Sequence, residues 1–430
     1  MSSTRSHDDS LVPPEVVLRR LAAEEHTTPD ALRELLLDGR ATVLGSHARV
    51  GRIRACVVGT GLRTKVNANF GTSALSSDLA GELDKLDVAI VAGADAVMDL
   101  STGGDIRAVR SAVLARADVP VGTVPVYEAA VKAAELGGRP AAMTSDSLIG
   151  AVRRHAEEGV DFQTVHASIT CSQLSSGAIE RRRIGIVSRG GALLACWMRV
   201  HDAENPYYDR FDEVLEICRE YGVTLSLGDS MRPGCLADAG DEAQMTEVAV
   251  LGGLVQRACD AGVRVIVEGP GHVPLHEVAA QITAIKRACH GVPLYVLGPL
   301  VTDVAPGYDH ITSAVGGTLA AMSGADLLCY VTRAEHVRLP DADDVREGVI
   351  ACRIAAHAGD VAAGLPGARD WDDAMATARK ALDWPGQFAL AIDPALPAEM
   401  RADSDAGDAS ECTMCGPLCS MRVTSTEVLA

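Results

Sequence analysis

Three cysteines fall within eight residues near the C-terminus, in the stretch "ECTMCGPLCSMR", as Cys412, Cys415 and Cys419. Their neighbours are small or polar and follow no hydrophobic period. Three thiolates suffice for a cubane 4Fe-4S cluster with one iron left open. A structural zinc wants a fourth sulfur or imidazole close by, and a disulfide leaves one thiol over. Cluster, zinc and free thiols are all open from the spacing alone. The other nine of the twelve cysteines are scattered through apolar runs such as "LEICREYG", "LLCYV" and "VIACRI", where a thiol in a reducing compartment behaves as a small buried hydrophobe.

Other clusters carry chemistry of a different kind. In "EGPGHVP" glycine and proline constrain the backbone around Glu268 and His272, an arrangement suited to a metal ligand beside an acid or base. A second imidazole could come from His276, His310 or His336. Pro274 spoils a helical pairing of His272 with His276, and His336, which follows a later strand, is the preferred partner. "IVSRGGALLACW" sets Ser188, Arg189, Gly190 and Gly191 ahead of a helical run, where backbone N–H groups, a hydroxyl and a guanidinium can converge on a phosphate. "GDSMRPG" puts the Asp229 carboxylate and the Arg232 guanidinium on one tight loop.

The elements that must position these residues alternate in type. From about Lys65, nine short β-branched runs end in glycine or a polar turn residue: "KVNANF", "DAVMDLS", "VPVGTVPVY", "FQTVHAS", "RIGIVSR", "VTLSLGDS", "VRVIVEG", "PLYVLGP" and "LLCYVT". Between them, stretches such as "FDEVLEICREYG" and "VAAQITAIKRACHG" repeat apolar residues at helical spacing and stop at glycine. Strand then helix, repeated about eight times, predicts a (β/α)8 barrel, with a doubly wound open sheet as the alternative. Nine runs compete for eight places, so "RIGIVSR" is expected as a hairpin or side strand. In a barrel the strand ends share one functional face. That face collects Asn69, Met98, Asp99, Tyr127, His166, Asp229, Arg232, Glu268, His272, Tyr295 and His336. Ahead of it, "PPEVVLRRLAAEE" and "TPDALRELLLDG" read as helices, the second capped by Thr28 or Asp30. The expected organisation is a small N-terminal domain over 1–60, the α/β barrel over 61–345, a helical segment over 346–400 and a flexible tail over 401–430.

Composition bounds the function. The 430 residues are 47% hydrophobic, enough for a large core. A formal net charge of −19 with 3% aromatics argues against nucleic acid and anionic membrane as partners. No signal segment or membrane-spanning run is expected, which points to a cytoplasmic location.

The runs "LRTKVNANFGTS", "ADAVMDLSTGGD", "VGTVPVY", "GIVSRGG", "EGPGHVPLH", "LGPLVTDVAPGYDHITSA", "YVTRAEHVRLP", "DDVREGVIACRIAAHAGD" and "CTMCGPLCSM" together closely resemble the phosphomethylpyrimidine synthase family of radical S-adenosylmethionine enzymes. The resemblance covers about residues 60–395 and the tail. It implies a barrel that rearranges 5-aminoimidazole ribotide into hydroxymethylpyrimidine phosphate for thiamine. It also implies a homodimer, a mobile cysteine tail that brings its 4Fe-4S cluster over a barrel, and a reductant such as flavodoxin or ferredoxin. Carried over by position, it implies substrate binding by Asn69, Met98, Tyr127, His166, Ser188, Arg189, Gly190, Asp229, Ser230, Met231, Arg232, Glu268 and Tyr295. His272 and His336 would hold zinc or iron(II), and Cys412, Cys415 and Cys419 the cluster. The cluster would reduce S-adenosylmethionine, and the 5′-deoxyadenosyl radical would take hydrogen from the ribose. Three features depart from the usual pattern. Only Gly416, Pro417 and Leu418 separate the last two cysteines, where well-known members have four residues. "DSMR" stands where the family usually has glycine after the aspartate, and "HAS" where "HAG" or "HCG" is usual. A 5-hydroxybenzimidazole synthase or another paralogue on the same ribotide shares these motifs. A zinc-stapled binding protein is the reading without catalysis.

Overall fold

The structure is a computed structural model that describes residues 11–405, 407 and 410–424. Two short strands, β1 (Ala41–Leu44) and β2 (Cys56–Gly59), pair antiparallel, after helices α1 (Glu15–Glu24) and α2 (Pro29–Leu37). Thr28 caps α2, its hydroxyl accepting from the Ala31 N–H. Eight parallel strands then close on themselves: β3 (Lys65–Phe70), β4 (Ala96–Asp99), β5 (Val121–Thr123), β6 (Phe162–Val165), β7 (Thr224–Leu227), β8 (Val265–Gly269), β9 (Leu294–Leu297) and β10 (Leu327–Cys329), with β10 back against β3. Each is almost wholly buried, because its inner face fills the barrel and its outer face meets helices. This is the (β/α)8 barrel anticipated from the alternating runs.

Eight of the nine β-branched runs supply those strands. The ninth does not form a hairpin or side strand. Residues 183–188 are irregular, and the amides of Arg183 and Ile184 donate to the Asp238 carboxylate instead of to a neighbouring strand.

The chain divides into two compact units, 1–363 and 364–430. The N-terminal segment falls within the first unit and has a small core of its own around Leu18, Leu21, Leu32, Leu36, Val43 and Val57. Thr42 Oγ1 donates to the Val265 carbonyl, Thr224 Oγ1 to the Val43 carbonyl, and Ser46 N to the Asp161 carboxylate. Lys65 and Glu25, both buried, form an ion pair at 2.8 Å where α1 ends and β3 begins. The long helix Ala342–Ala363 packs on the helix Asp309–Met322 and on β3 within the first unit. The second unit holds helices Ala368–Lys380, Trp384–Leu390 and Ala395–Ala402, followed by the cysteine loop. Among the described residues no single helix is long and apolar enough to cross a membrane.

Candidate active site

Parallel register sets the level at which each strand presents its side chains. Asn69 on β3 is paired with Met98 on β4, and Glu268 on β8 with Tyr295 on β9. All four side chains lie at the C-terminal end of the barrel, where functional sites of this fold are built. They line a cavity with Tyr127, Thr164, His166, Asp229, Arg232 and Cys329.

Polar contacts brace this lining. Asn67 Nδ2 donates to Asn69 Oδ1 and to Tyr295 Oη, each at 2.7 Å. Asn69 Nδ2 lies 2.9 Å from Cys329 Sγ. Thr164 Oγ1 donates to Glu268 Oε1 at 2.9 Å, while the Asp229 amide faces Glu268 Oε2 at 3.3 Å. Arg232 Nη1 reaches Asp229 Oδ1 at 2.9 Å. One guanidinium thus serves two carboxyls. Burial pushes the Asp229 carboxyl well above its ordinary value, with the Arg232 charge opposing, and burial likewise raises Glu268. A site with two carboxyls and one cation in low dielectric can hold a proton at neutral pH.

His166 sits at the floor, 3% exposed. Burial, reinforced by the Arg232 charge, lowers its pKa to about 3, so the ring is neutral. Its neighbours are glycines by necessity. A Cβ on Gly190 would lie 2.3 Å from the His166 ring, and one on Gly228 2.8 Å. His166 Nδ1 and Asp229 Oδ2 are buried without a hydrogen-bond partner among the described residues, and such atoms invite a ligand's polar groups.

The residues expected around a phosphate divide. Ser188 is the N-cap of the helix Arg189–His201, its hydroxyl accepting from the Gly191 amide at 3.2 Å, so that oxygen is already engaged. Arg189 is exposed and lies over the Tyr127 ring, 5.1 Å from its centroid. Ser230 and Met231 are fully buried and do not line the cavity; they belong to the loop that presents Asp229 and Arg232, and their amides donate to Glu247.

His272 and His336 meet as rings, with centroids 5.3 Å apart. His272 Nδ1 is 2.8 Å from Asp303 Oδ1, and His336 Nδ1 is 3.1 Å from Asp309 Oδ1. A carboxylate on each Nδ1 leaves both Nε2 atoms without a partner among the described residues, the arrangement that orients metal-binding imidazoles. The alternatives go elsewhere: His276 faces Glu277 and His310 faces Glu347.

In the second unit the cysteine loop is a run of tight turns. The Gly416 amide donates to the Cys412 carbonyl, Leu418 to Cys415 and Cys419 to Gly416. Cys415 is exposed, Cys412 half-buried and Cys419 buried. Among the described residues no three His, Cys, Asp or Glu side chains converge on a single ion.

Thr164, Cys329 and Asn67 were not singled out in the sequence. Cys329 sits in "LLCYV" and looks like a core thiol, and burial does push its thiol up to about 12. Only its place at the end of β10, against Asn69, marks it as part of the lining.

Comparison with known proteins follows from this geometry. Phosphomethylpyrimidine synthase of Moorella thermoacetica is 54% identical over 406 residues, covering 94% of each chain. That of Desulforudis audaxviator is 55% identical over 381 residues, covering 89% of this chain and 88% of the relative. The Methanopyrus kandleri protein of the same name is 51% identical over 406 residues, covering 94% and 95%. Among solved structures, dihydropteroate synthase from Coxiella burnetii in complex with pteroic acid aligns over 72% of this chain and 98% of that one. Its TM-score of 0.42 and 13% identity are too slight a likeness to bear on function. The description "Radical SAM ThiC family" matches residues 9–426, and with that match the chain belongs to this family and is an enzyme.

Proposed function

We propose that this enzyme is a phosphomethylpyrimidine synthase of thiamine biosynthesis, which binds 5-aminoimidazole ribotide in the barrel mouth and rearranges it with S-adenosylmethionine to hydroxymethylpyrimidine phosphate. The observation that carries the reading is the convergence of Arg232, Asp229, Glu268, neutral His166 and Tyr295 on one cavity braced by hydrogen bonds between strands. Near-full-length relatives that carry the name support it.

The residues have separable tasks. Arg189, with the amides that open its helix, meets the phosphate, since an N-terminal helical turn and a guanidinium both favour an anion. Neutral His166 and Asp229 hydrogen-bond the imidazole and ribose through their unpartnered atoms. Glu268, its carboxyl raised by burial, holds or accepts a proton as the ring is rebuilt. Tyr295 and Asn69 fix the substrate's orientation, and the buried wall excludes water from reactive intermediates.

Family membership implies S-adenosylmethionine and an iron–sulfur cluster. The soft donors Cys412, Cys415 and Cys419 suit that cluster, which supplies the electron that cleaves S-adenosylmethionine. His272 and His336 suit one zinc or iron(II) ion through their Nε2 atoms, with coordination positions left for a small ligand. A cytoplasmic homodimer reduced by flavodoxin or ferredoxin completes the proposal.

Anaerobic incubation of reconstituted enzyme with the ribotide, S-adenosylmethionine and reductant tests it by the product's mass. Hydroxymethylpyrimidine phosphate is expected. 5-Hydroxybenzimidazole, or no ribotide-derived product, would overturn it.

A further inference from the structure

One buried acid is not used by this chemistry. Glu247 belongs to the helix Glu242–Asp260, outside the barrel, and is 2% exposed. Three donors converge on it. Oε1 receives the Ser230 amide and the Ser168 hydroxyl, both at 2.6 Å, and Oε2 receives the Met231 amide at 2.7 Å. Ser168 follows β6 by three residues, two beyond His166, and it also lies 3.0 Å from the Gly228 carbonyl. Ser230 and Met231 lie between Asp229 and Arg232. The same carboxylate therefore ties the loop that carries His166 to the loop that carries Asp229 and Arg232.

A buried carboxylate is costly unless its lone pairs are filled, and here donors from two separate strand ends fill them. Arg182 closes the far side, donating to the Met231 carbonyl and pairing with Asp241 at 2.7 Å. Ser168 and Ser230 stand with hydroxyls 3.5 Å apart beside this carboxylate. Burial raises the Glu247 carboxyl to about 7, against the pull of its hydrogen bonds and of Arg182.

We infer that Glu247 is a positioning residue of the active site, holding the His166 loop and the Asp229–Arg232 loop in fixed register so that both present their side chains to one substrate. The inference rests on the proposed assignment of those loops to the ribotide.

Glu247→Gln tests it with little change of shape. Glutamine keeps one acceptor oxygen, but its NH2 group would face an amide donor, so at least one loop contact is lost. Amide exchange at Ser230 and Met231 is expected to rise about tenfold or more, and the ribotide dissociation constant to rise by a similar factor. Exchange around His272 and the affinity for S-adenosylmethionine should stay unchanged. Unaltered exchange at Ser230 and Met231 would overturn the positioning role whatever the substrate. Faster exchange with unchanged ribotide affinity would overturn the link to the substrate and leave the reaction itself to be judged by the product assay. Should Glu247→Gln fail to fold, Ser168→Ala removes one donor and leaves the carboxylate on its two amides. It should raise exchange at Ser230 severalfold and weaken the ribotide detectably; no change in either would overturn the inference.

Discussion

The barrel mouth and the cysteine loop are built in opposite ways. At the mouth, polar side chains are tied to others from different strands: Asn67 to Tyr295, Thr164 to Glu268, Asn69 to Cys329. In the loop, bonds run between near neighbours, Gly416 to Cys412 and Cys419 to Gly416, and Cys415 is exposed. The loop's ends are better held. Glu411 pairs with Arg422, Arg401 donates to the Glu411 carbonyl, and Trp384 donates to the Ser410 carbonyl. A site that must recognise a substrate before reaction gains from preorganisation, and long-range bracing supplies it. A loop that takes its final form on a metal cluster needs only thiolates at suitable spacing and firm ends, since metal binding itself supplies folding energy.

That contrast can be broken. The largest effect is expected from Cys415→Ala, which should abolish cluster assembly and all turnover while the first unit melts at an unchanged temperature. Two thiolates do not hold a cubane stably, and Cys415 is exposed, with no place in a buried core. Iron and sulfide analysis with calorimetry checks both halves; a falling melting temperature for the barrel would show that the two regions are not built separately.

Next in size is Arg232→Ala. It removes a charge-assisted hydrogen bond worth about 1.5–3 kcal/mol and leaves Asp229 without its guanidinium. Titration calorimetry should show the ribotide weakened about tenfold to a hundredfold, and S-adenosylmethionine far less. Equal losses would mean that the loop is not selective for the ribotide.

Asp303→Asn sharpens the comparison at the His272–His336 pair, proposed to hold a metal. The Nδ1 of His272 would lose its carboxylate partner, and losses of this kind lower metal affinity about 10- to 100-fold. Cobalt(II) titration with its visible spectrum reads this without turnover. An unchanged affinity would refute the role of the carboxylate.

A further effect concerns acid. His166 and His155 are buried and neutral, with pKa values lowered to about 3 and about 4, burial being the first cause in each. The unfolded chain binds these protons near 6.5, so the stability is complete above that pH and is lost as the pH falls toward 4 and 3. Each contributes at most about 1.4 kcal/mol per pH unit in that window. Denaturant melts of His166→Gln from pH 7 to 4 should show a shallower decline than the parent; an equal slope would mean that His166 is already charged.

Much of this was legible in the sequence, for physical reasons. Eight buried parallel strands need short β-branched runs, and "VRVIVEG" or "PLYVLGP" can hardly be anything else between two helices. "RIGIVSR" misled because β-branched residues mark an extended chain, not a partner, and its amides turned to Asp238 instead. The β1–β2 pair was invisible because "ATVL" and "CVVG" are brief and eleven residues intervene. Motif positions drew Glu268, His272 and His336 toward one rim. Glu247 escaped notice because an acid in "DEAQMTEVAV" looks like any solvated helix face; only its three donors reveal that it is buried.

The central claim, that a radical made with the cysteine loop acts on a ribotide held in the barrel mouth, has one direct measurement. Ribotide deuterated on the ribose is incubated anaerobically with enzyme, S-adenosylmethionine and reductant, and the 5′-deoxyadenosine formed is weighed by mass spectrometry. Deuterium should appear in the 5′-deoxyadenosine, and the Cys415→Ala enzyme should form none of that nucleoside. Product made by the parent enzyme while its 5′-deoxyadenosine stays free of deuterium, whichever ribose position carries the label, would contradict the account.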